Sequence, residues 1–407
     1  MLLFDFFKRL QNYSFFDLTV IIYVKIRSKS EKRIIFALKT DSPVYLSRLF
    51  LMNYRNVEQA DLLLSPKINC FVGSNGMGKT NILDAIHYLS FCKSSVNPVD
   101  SQIVRHGADC MFLQGSYVFD MDMNVDISCT LKTGSRKLFR RNGKDYRRFS
   151  DHIGLIPLVM ISPDDGGLIS EGSEGRRRFM DVVISQYDHE YLGHLIDYNK
   201  ALVQRNTLLK LETEPDADQF VMWESMMDRC ARTIHDRRRA FVGNLIPVFQ
   251  RIYSQIGSEN EKVGLDYRSH LERGPLAGQL ASWRTKERAV GYTLHGIHKD
   301  DLEMTLDGYP IKREGSQGQN KSYLIALKLA QYLCLTEACS GRRPLLLLDD
   351  LFDKLDSSRV GRILKMVSGD DFGQIFITDV DRNHLDSIIG MLERDFRIYT
   401  IENGEIR

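Results

Sequence analysis

Ile68-Asn69-Cys70-Phe71-Val72-Gly73-Ser74-Asn75-Gly76-Met77-Gly78-Lys79-Thr80 is the stretch whose reading decides the fold. Its first five residues form a short, largely apolar run, of the kind that lies in the middle of a sheet. The next eight, Gly73, Ser74, Asn75, Gly76, Met77, Gly78, Lys79 and Thr80, follow the spacing G-x-x-x-x-G-K-[ST]. From Asn81 to Ser90, Ile82, Leu83, Ile86 and Leu89 recur at helical spacing. Strand, glycine-rich loop and helix in that order make a phosphate-binding loop. Glycines let the backbone curl so that N–H groups face phosphate oxygens, and the helix turns its positive end to the same anion. Lys79 is expected to reach the β- and γ-phosphates of ATP and Thr80 to ligate Mg²⁺.

Composition supports this reading without extending it. The chain has 407 residues, 43% apolar and 27% charged, enough for two domains with their own cores. A net charge of +2 excludes a polycation, so nucleic-acid contact has to come from local patches. The seven cysteines form no C-x-x-C pair, which argues against a disulfide framework or zinc site and suits a reducing cytoplasm. The apolar run Phe15–Val24 contains Asp17 and is too short for a membrane span. A cytoplasmic protein with no membrane partner is expected.

Residues 1–43 carry an apolar start and a basic run, and are set aside as an N-terminal extension. The alternation from Val44 to Leu51, the segments 57–64 and 68–72, and the alternating stretch 111–132 read as strands. A hairpin at 136–148 turns at Asn142-Gly143. From 173 to 262 the pattern is helical. One helix starts near Ser173. Tyr191, Leu195, Tyr198, Leu202 and Leu209 mark another, and Trp223, Met227, Cys230, Ile234, Phe241, Leu245 and Phe249 a near-heptad seam interrupted at Arg238. The polar turn 211–216 makes these an antiparallel helical hairpin, with Pro247 expected to kink or break the second arm. Strand and helix alternation resumes over 263–407. The expected organisation is an α/β head over 44–172 and 263–407, with an inserted α-helical domain over 173–262.

Leu345 to Leu348 is a buried strand running into Asp349 and Asp350. Asp349 stands where a Mg²⁺-supporting acid belongs in phosphate-loop ATPases, and Asp350 where a general base polarises the attacking water. Ser316-Gln317-Gly318-Gln319 precedes a helix expected from Lys321 to Ala338. This turn reads equally as a second anion site, closing on ATP held by another copy, and as a simple helix start with Ser316 as N-cap.

These motifs, in this order, resemble the ABC-type head ATPases of the SMC class and, within it, the RecF family. Further pieces of the resemblance are Asn53-Tyr54-Arg55-Asn56, Ser162-Pro163-Asp164, Glu174 to Asp181, Gly291-Tyr292-Thr293, His298 to Leu302 and Leu348 to Asp356. The resemblance implies a mixed-sheet ATPase head and an ATP-dependent DNA-binding protein of gap repair. It implies a head-to-tail homodimer in which Ser316, Gln317, Gly318 and Gln319 cap the partner's γ-phosphate. Action with RecO and RecR proteins, recombinase loading and slow hydrolysis of ATP follow from it. It also places Arg55 and Asn56 near the nucleotide. Two departures stand out. Lys299 replaces the family's usual arginine, and Val44-Tyr45-Leu46 reads like the family's opening with Val for Met, so that 1–43 would be an annotation artefact.

The basic segment 135–148 holds Arg136, Lys137, Arg140, Arg141, Lys144, Arg147 and Arg148 and is the candidate DNA contact, alternatively lining the dimer or nucleotide site. Phe139 and Tyr146 fit packing against the sheet better than base stacking. Arg176–Arg178 and Arg237–Arg239 are further basic triplets. Thr378 and Asp379 fall where many ABC heads sense the γ-phosphate. Competing readings are another SMC-like or ABC-type ATPase, including a transporter subunit, and a small-molecule phosphate-loop kinase. The acidic pair and the Ser316 turn speak against the kinase, and the helical insertion against the transporter.

Overall fold

The computed structural model describes residues 20–23, 35–38, 44–97, 99–119, 123–213, 216–257, 260–351, 356–380 and 395–407. Most of the 1–43 extension and residues Phe352–Leu355 of the last motif therefore lie outside the described residues. Within 1–43, β1 (Val20–Tyr23) and β2 (Ile35–Leu38) pair antiparallel.

The head begins with β3 (Tyr45–Tyr54), β4 (Val57–Leu63) and β5 (Ile68–Val72), followed by α1 (Lys79–Phe91). Then come β6 (Cys110–Phe119), β7 (Met123–Lys132), β8 (Leu138–Arg141), β9 (Lys144–Asp145) and β10 (Leu158–Ile161). The alternation seen in the sequence is the pleat of an antiparallel sheet ordered β4-β3-β6-β7-β8-β9. Asn142 and Gly143 both adopt positive φ, 49° and 77°, as a two-residue turn between β8 and β9 demands.

Three helices follow: α2 (Ser173–Tyr187), α3 (His189–Leu209) and α4 (Ala217–Ile256). Pro247 does not break α4, which runs unbroken for 40 residues, about 60 Å at 1.5 Å per residue. Proline forfeits one hydrogen bond and crowds the carbonyl four residues earlier, at Gly243. Burial of Phe241, Val242, Leu245, Phe249 and Ile252 on both sides of it holds the helix together. Beyond lie β11 (Val263–Arg268), α5 (Leu276–Val290), β12 (Asp301–Leu306), β13 (Tyr309–Pro310) and α6 (Gln317–Ala338). The chain closes with β14 (Leu345–Leu348), α7 (Ser357–Val367), β15 (Ile375–Asp379), β16 (Phe396–Glu402) and β17 (Glu405–Ile406).

The central sheet is ordered β10-β14-β15-β5-β16-β17, parallel except for the terminal hairpin. Its strands are apolar on both faces because both are covered. Leu346, Leu348, Ile375 and Ile377 join a cluster with α2, α3, α4 and α6, whereas Leu345, Leu347 and Phe376 join one with α1 and the antiparallel sheet. The helical segment 173–262 thus shares its core with one face of this sheet. Gln374 stitches the two sheets: its side chain accepts from Leu46 N–H at 2.7 Å and donates to the carbonyls of Leu46 and Ser65 at 2.8 and 2.7 Å.

Candidate nucleotide site

The site gathers at the C-terminal ends of three neighbouring parallel strands, β14, β15 and β5, where open α/β sheets leave a crevice. β5 is fully buried and delivers the chain to Gly73. A Cβ at Gly73 would stand 2.4 Å from the Ile401 carbonyl oxygen, so only glycine passes beneath β16. Gly76 and Gly78 take φ of 82° and 109°, which closes the loop. α1 then starts with no side-chain cap and no acid in its first turn, so its leading amides stay open to an anion. Lys79 is 4% exposed. Its ammonium donates to Gly73 O at 2.8 Å and stands 3.8 Å from Asp350 Oδ1, curled over the space a phosphate would fill. These residues fit the triphosphate of ATP.

β14 supplies the acids. Asp349 N–H donates to Ile161 O at 2.9 Å, continuing the ladder with β10. Its Oδ1 accepts from Thr80 Oγ1 at 3.1 Å and from Thr378 Oγ1 at 2.8 Å. Burial pushes the Asp349 carboxyl above the ordinary carboxylate range, opposed by the Thr378 and Thr80 hydroxyls. A hydroxyl with a carboxylate behind it suits Mg²⁺, which binds through few protein oxygens and takes the rest from phosphates and water. Asp350, the candidate base, has φ of 41°, a conformation non-glycine residues seldom adopt.

Arg55 and Asn56 make different contacts. Arg55 pairs with buried Asp84 at 3.0 Å and donates to Ser94 Oγ at 3.0 Å, and Asp84 accepts in turn from Ser95, which borders the same cavity as Thr80. Asn56 touches the phosphate loop, donating to Met77 O at 3.0 Å and accepting from Asn81 Nδ2 at 2.6 Å. Gly404 N–H donates to the same Met77 carbonyl at 3.2 Å. The C-terminal hairpin thus rests on the loop, a contact nothing in the local sequence announces. Beside Thr80, Asp349 and Asp350 opens a cavity of about 490 Å³, bounded by Ser162–Asp165, Arg178 and Lys328. Lys328 of α6 pairs with Asp165 at 3.0 Å.

The Ser316 turn is the first turn of α6, which starts four residues earlier than the spacing suggests. Ser316 is the N-cap: its Oγ accepts from Gln319 N–H at 3.2 Å, and the Gln319 side chain accepts from Ser316 N–H at 2.8 Å. Gln319 also donates to Glu261 at 2.9 Å. A Cβ on Gly318 would meet Arg359 at 3.0 Å, and Arg359 donates to the Gly318 carbonyl at 3.2 Å. Ser316 and Gln317 remain exposed, so the cap leaves an outward hydroxyl and amide at the positive end of a helix.

Residues 45–407 match the RecF/RecN/SMC N-terminal domain family. A DNA replication and repair protein RecF from Phocaeicola vulgatus is 55% identical over 361 residues, 89% of this chain and 97% of that protein. One from Bacteroides fragilis is 54% identical over the same length and shares. The chain belongs to the RecF family. A solved structure of the recombination mediator protein RecF with ATPrS, in the RecFOR pathway, superposes at a TM-score of 0.81 and 28% identity, over 89% of this chain and 98% of that one. An Smc head domain from Pyrococcus furiosus matches at 0.55 and 16% identity, over 89% of this chain and 95% of that one, a likeness of fold. The expected architecture, an SMC-like ATPase head, is therefore that of this RecF-family chain.

The basic residues of the RecF-family chain divide by environment. Lys137 is turned inward, paired with Asp100 at 2.8 Å and lying over the Tyr88 and Phe149 rings. Arg140 pairs with Asp145 at 2.7 Å and Arg148 with Asp151 at 3.2 Å. Arg136, Arg141, Lys144 and Arg147 are exposed at one end of the antiparallel sheet. Phe139 is buried among Tyr146, Phe149 and His152, as its packing role requires. Arg176, Arg177, Arg237 and Arg238 of the two triplets are engaged within the fold, while Arg178 borders the cavity beside the acids. Arg237 pairs with Asp188 at 2.9 Å. Arg176 pairs with Asp301 at 2.6 Å and Arg177 donates to the Asp300 carbonyl at 2.7 Å. Arg238 is buried and pairs with Asp181 at 2.9 Å and Asp300 at 3.1 Å, which explains the interrupted seam. His298 donates from Nε2 to Thr293 O and accepts from Tyr198 O–H, so both ring nitrogens are engaged. Among the described residues no helix is long and apolar enough to cross a membrane.

Proposed function

We propose that this RecF-family chain is an ATP-binding recombination mediator. It dimerises head to tail on ATP, binds DNA at single-strand gaps or junctions and acts with RecO and RecR proteins to load recombinase. The observation that carries the reading is the meeting of two half-sites 269 residues apart, Thr80 with Asp349, alongside Lys79 with Asp350. Support comes from the RecF structures with ATP and ATPrS in the RecFOR pathway.

Lys79 and the loop amides bind the β- and γ-phosphates. The Thr80 hydroxyl and, behind it, Asp349 hold Mg²⁺, which when bound neutralises charge shared between those phosphates. Asp350 orients and deprotonates the attacking water. Exposed Ser316 and Gln317 reach the γ-phosphate of a partner copy, so the site is complete only in the dimer. Arg136, Arg141, Lys144 and Arg147 neutralise DNA phosphates without reading sequence. ATP then acts as the ligand that decides when two heads hold DNA, with slow hydrolysis releasing them.

Steady-state hydrolysis with and without gapped DNA, at fixed salt, tests this together with light scattering in ATP–Mg²⁺. DNA-stimulated turnover and an ATP-dependent dimer are expected. A chain that stays monomeric with saturating ATP, and hydrolyses it indifferently to DNA, contradicts the proposal.

A further inference from the structure

Two residues past the end of the buried strand β14, Asp350 is held in the left-handed region at φ 41°. Something has to compensate that conformation, and the contact is visible. Asp350 N–H donates to Thr378 Oγ1 at 2.8 Å, from the neighbouring strand β15. The Thr378 hydroxyl has one hydrogen, and it goes to Asp349 Oδ1 at 2.8 Å, since Asp350 Oδ1 is farther at 3.4 Å. Thr378 is fully buried, so no water replaces it. Its oxygen therefore accepts from the backbone of one acid and donates to the carboxylate of the other. Asp349 Oδ1 in turn accepts from Thr80 at 3.1 Å. The next residue along β15, Asp379, offers its carbonyl to Gly73 N–H at 3.3 Å, tying the same strand end to the start of the phosphate loop.

We infer that Thr378 is a positioning residue for hydrolysis: its hydroxyl fixes the Asp350 backbone and the Asp349 carboxylate together, aiming the base while leaving phosphate binding to the loop. This departs from the γ-phosphate sensor its sequence position suggests, because the hydroxyl is occupied by the acids. The inference rests on the assignment of Asp350 as base.

Three variants separate the possibilities. Thr378→Val keeps the shape and removes the hydroxyl, Thr378→Ser keeps the hydroxyl, and Asp350→Asn reports on the base itself. Each is measured for single-turnover hydrolysis, for affinity towards a fluorescent ATP analogue, and for amide hydrogen exchange of the 345–351 segment without nucleotide. Thr378→Val is expected to slow hydrolysis on the order of a hundredfold with ATP affinity within threefold, and to speed exchange at Asp350 at least tenfold. Thr378→Ser is expected to stay within threefold of the parent in all three. Parental exchange at Asp350 in Thr378→Val, or Thr378→Ser behaving like it, overturns the inference. Parental hydrolysis by Thr378→Val alongside a slow Asp350→Asn does the same. Parental hydrolysis by Asp350→Asn removes instead the assignment of the base, with the exchange result still deciding whether Thr378 holds the backbone. Should Thr378→Val not fold, Thr378→Ala takes its place under the same criteria.

Discussion

At the scale of single residues, Lys79 and Asp350 lie 3.8 Å apart but carry separable tasks. Lys79→Ala removes the cation that faces the β- and γ-phosphates and is expected to weaken ATP binding at least a hundredfold by equilibrium titration. Asp350→Asn is expected to bind ATP near normally and to hydrolyse it a hundredfold more slowly. His152 gives a pH prediction. It is buried, donating from Nε2 to Leu89 O and accepting at Nδ1 from Tyr146 O–H, and burial lowers its pKa to about 4. The unfolded chain takes up the proton first, near pH 6.5, so stability from this residue is full above that pH. It is lost as pH falls towards 4, by up to about 1.4 kcal/mol per pH unit. Denaturant midpoints between pH 7.5 and 5 should show the decline, with a shallower slope in His152→Phe. The phosphate loop and the acidic pair were legible in the sequence because each is a local run. The link through Thr378 was not, because it joins residues 28 apart that meet only across β14 and β15.

At the scale of elements, strands followed from alternation and helices from apolar spacing, and what escaped were contacts between elements. The C-terminal hairpin carries no motif, yet its turn sits on the phosphate loop: Gly404 has φ of 84°, and a Cβ there would stand 2.4 Å from the Asn56 carbonyl oxygen. Gly404→Val should push the turn off Met77 and weaken ATP binding on the order of tenfold, with a small change in thermal midpoint. Charge divides within each cluster at this level. Arg176, Arg177, Arg237 and Arg238 of the two basic triplets are engaged by Asp301, Asp300, Asp188 and Asp181 from elsewhere in the chain, whereas Arg178 borders the cavity beside the acids. Arg238→Ala would leave two carboxylates facing a void between α2, α4 and the segment before β12. A loss of about 3–5 kcal/mol in chemical denaturation is expected, with no specific effect on ATP affinity of the folded fraction.

At the scale of the whole molecule, one sheet end collects the phosphate loop, both acids and Thr378, while the Ser316 turn faces outward at the start of α6. The turn's capping box and its proposed reach to a partner are compatible. The cap uses the Ser316 oxygen as acceptor from Gln319 N–H, which leaves the hydroxyl hydrogen and the Gln317 amide to donate outward. The central claim, that each nucleotide site is half a site, is tested most directly by light scattering on Ser316→Ala in saturating ATP–Mg²⁺, with ATP affinity measured on the same sample. The account predicts a parent that dimerises with ATP, and a variant that stays monomeric while binding ATP within threefold of the parent. A variant that dimerises normally, or that loses ATP binding as a monomer, would contradict it.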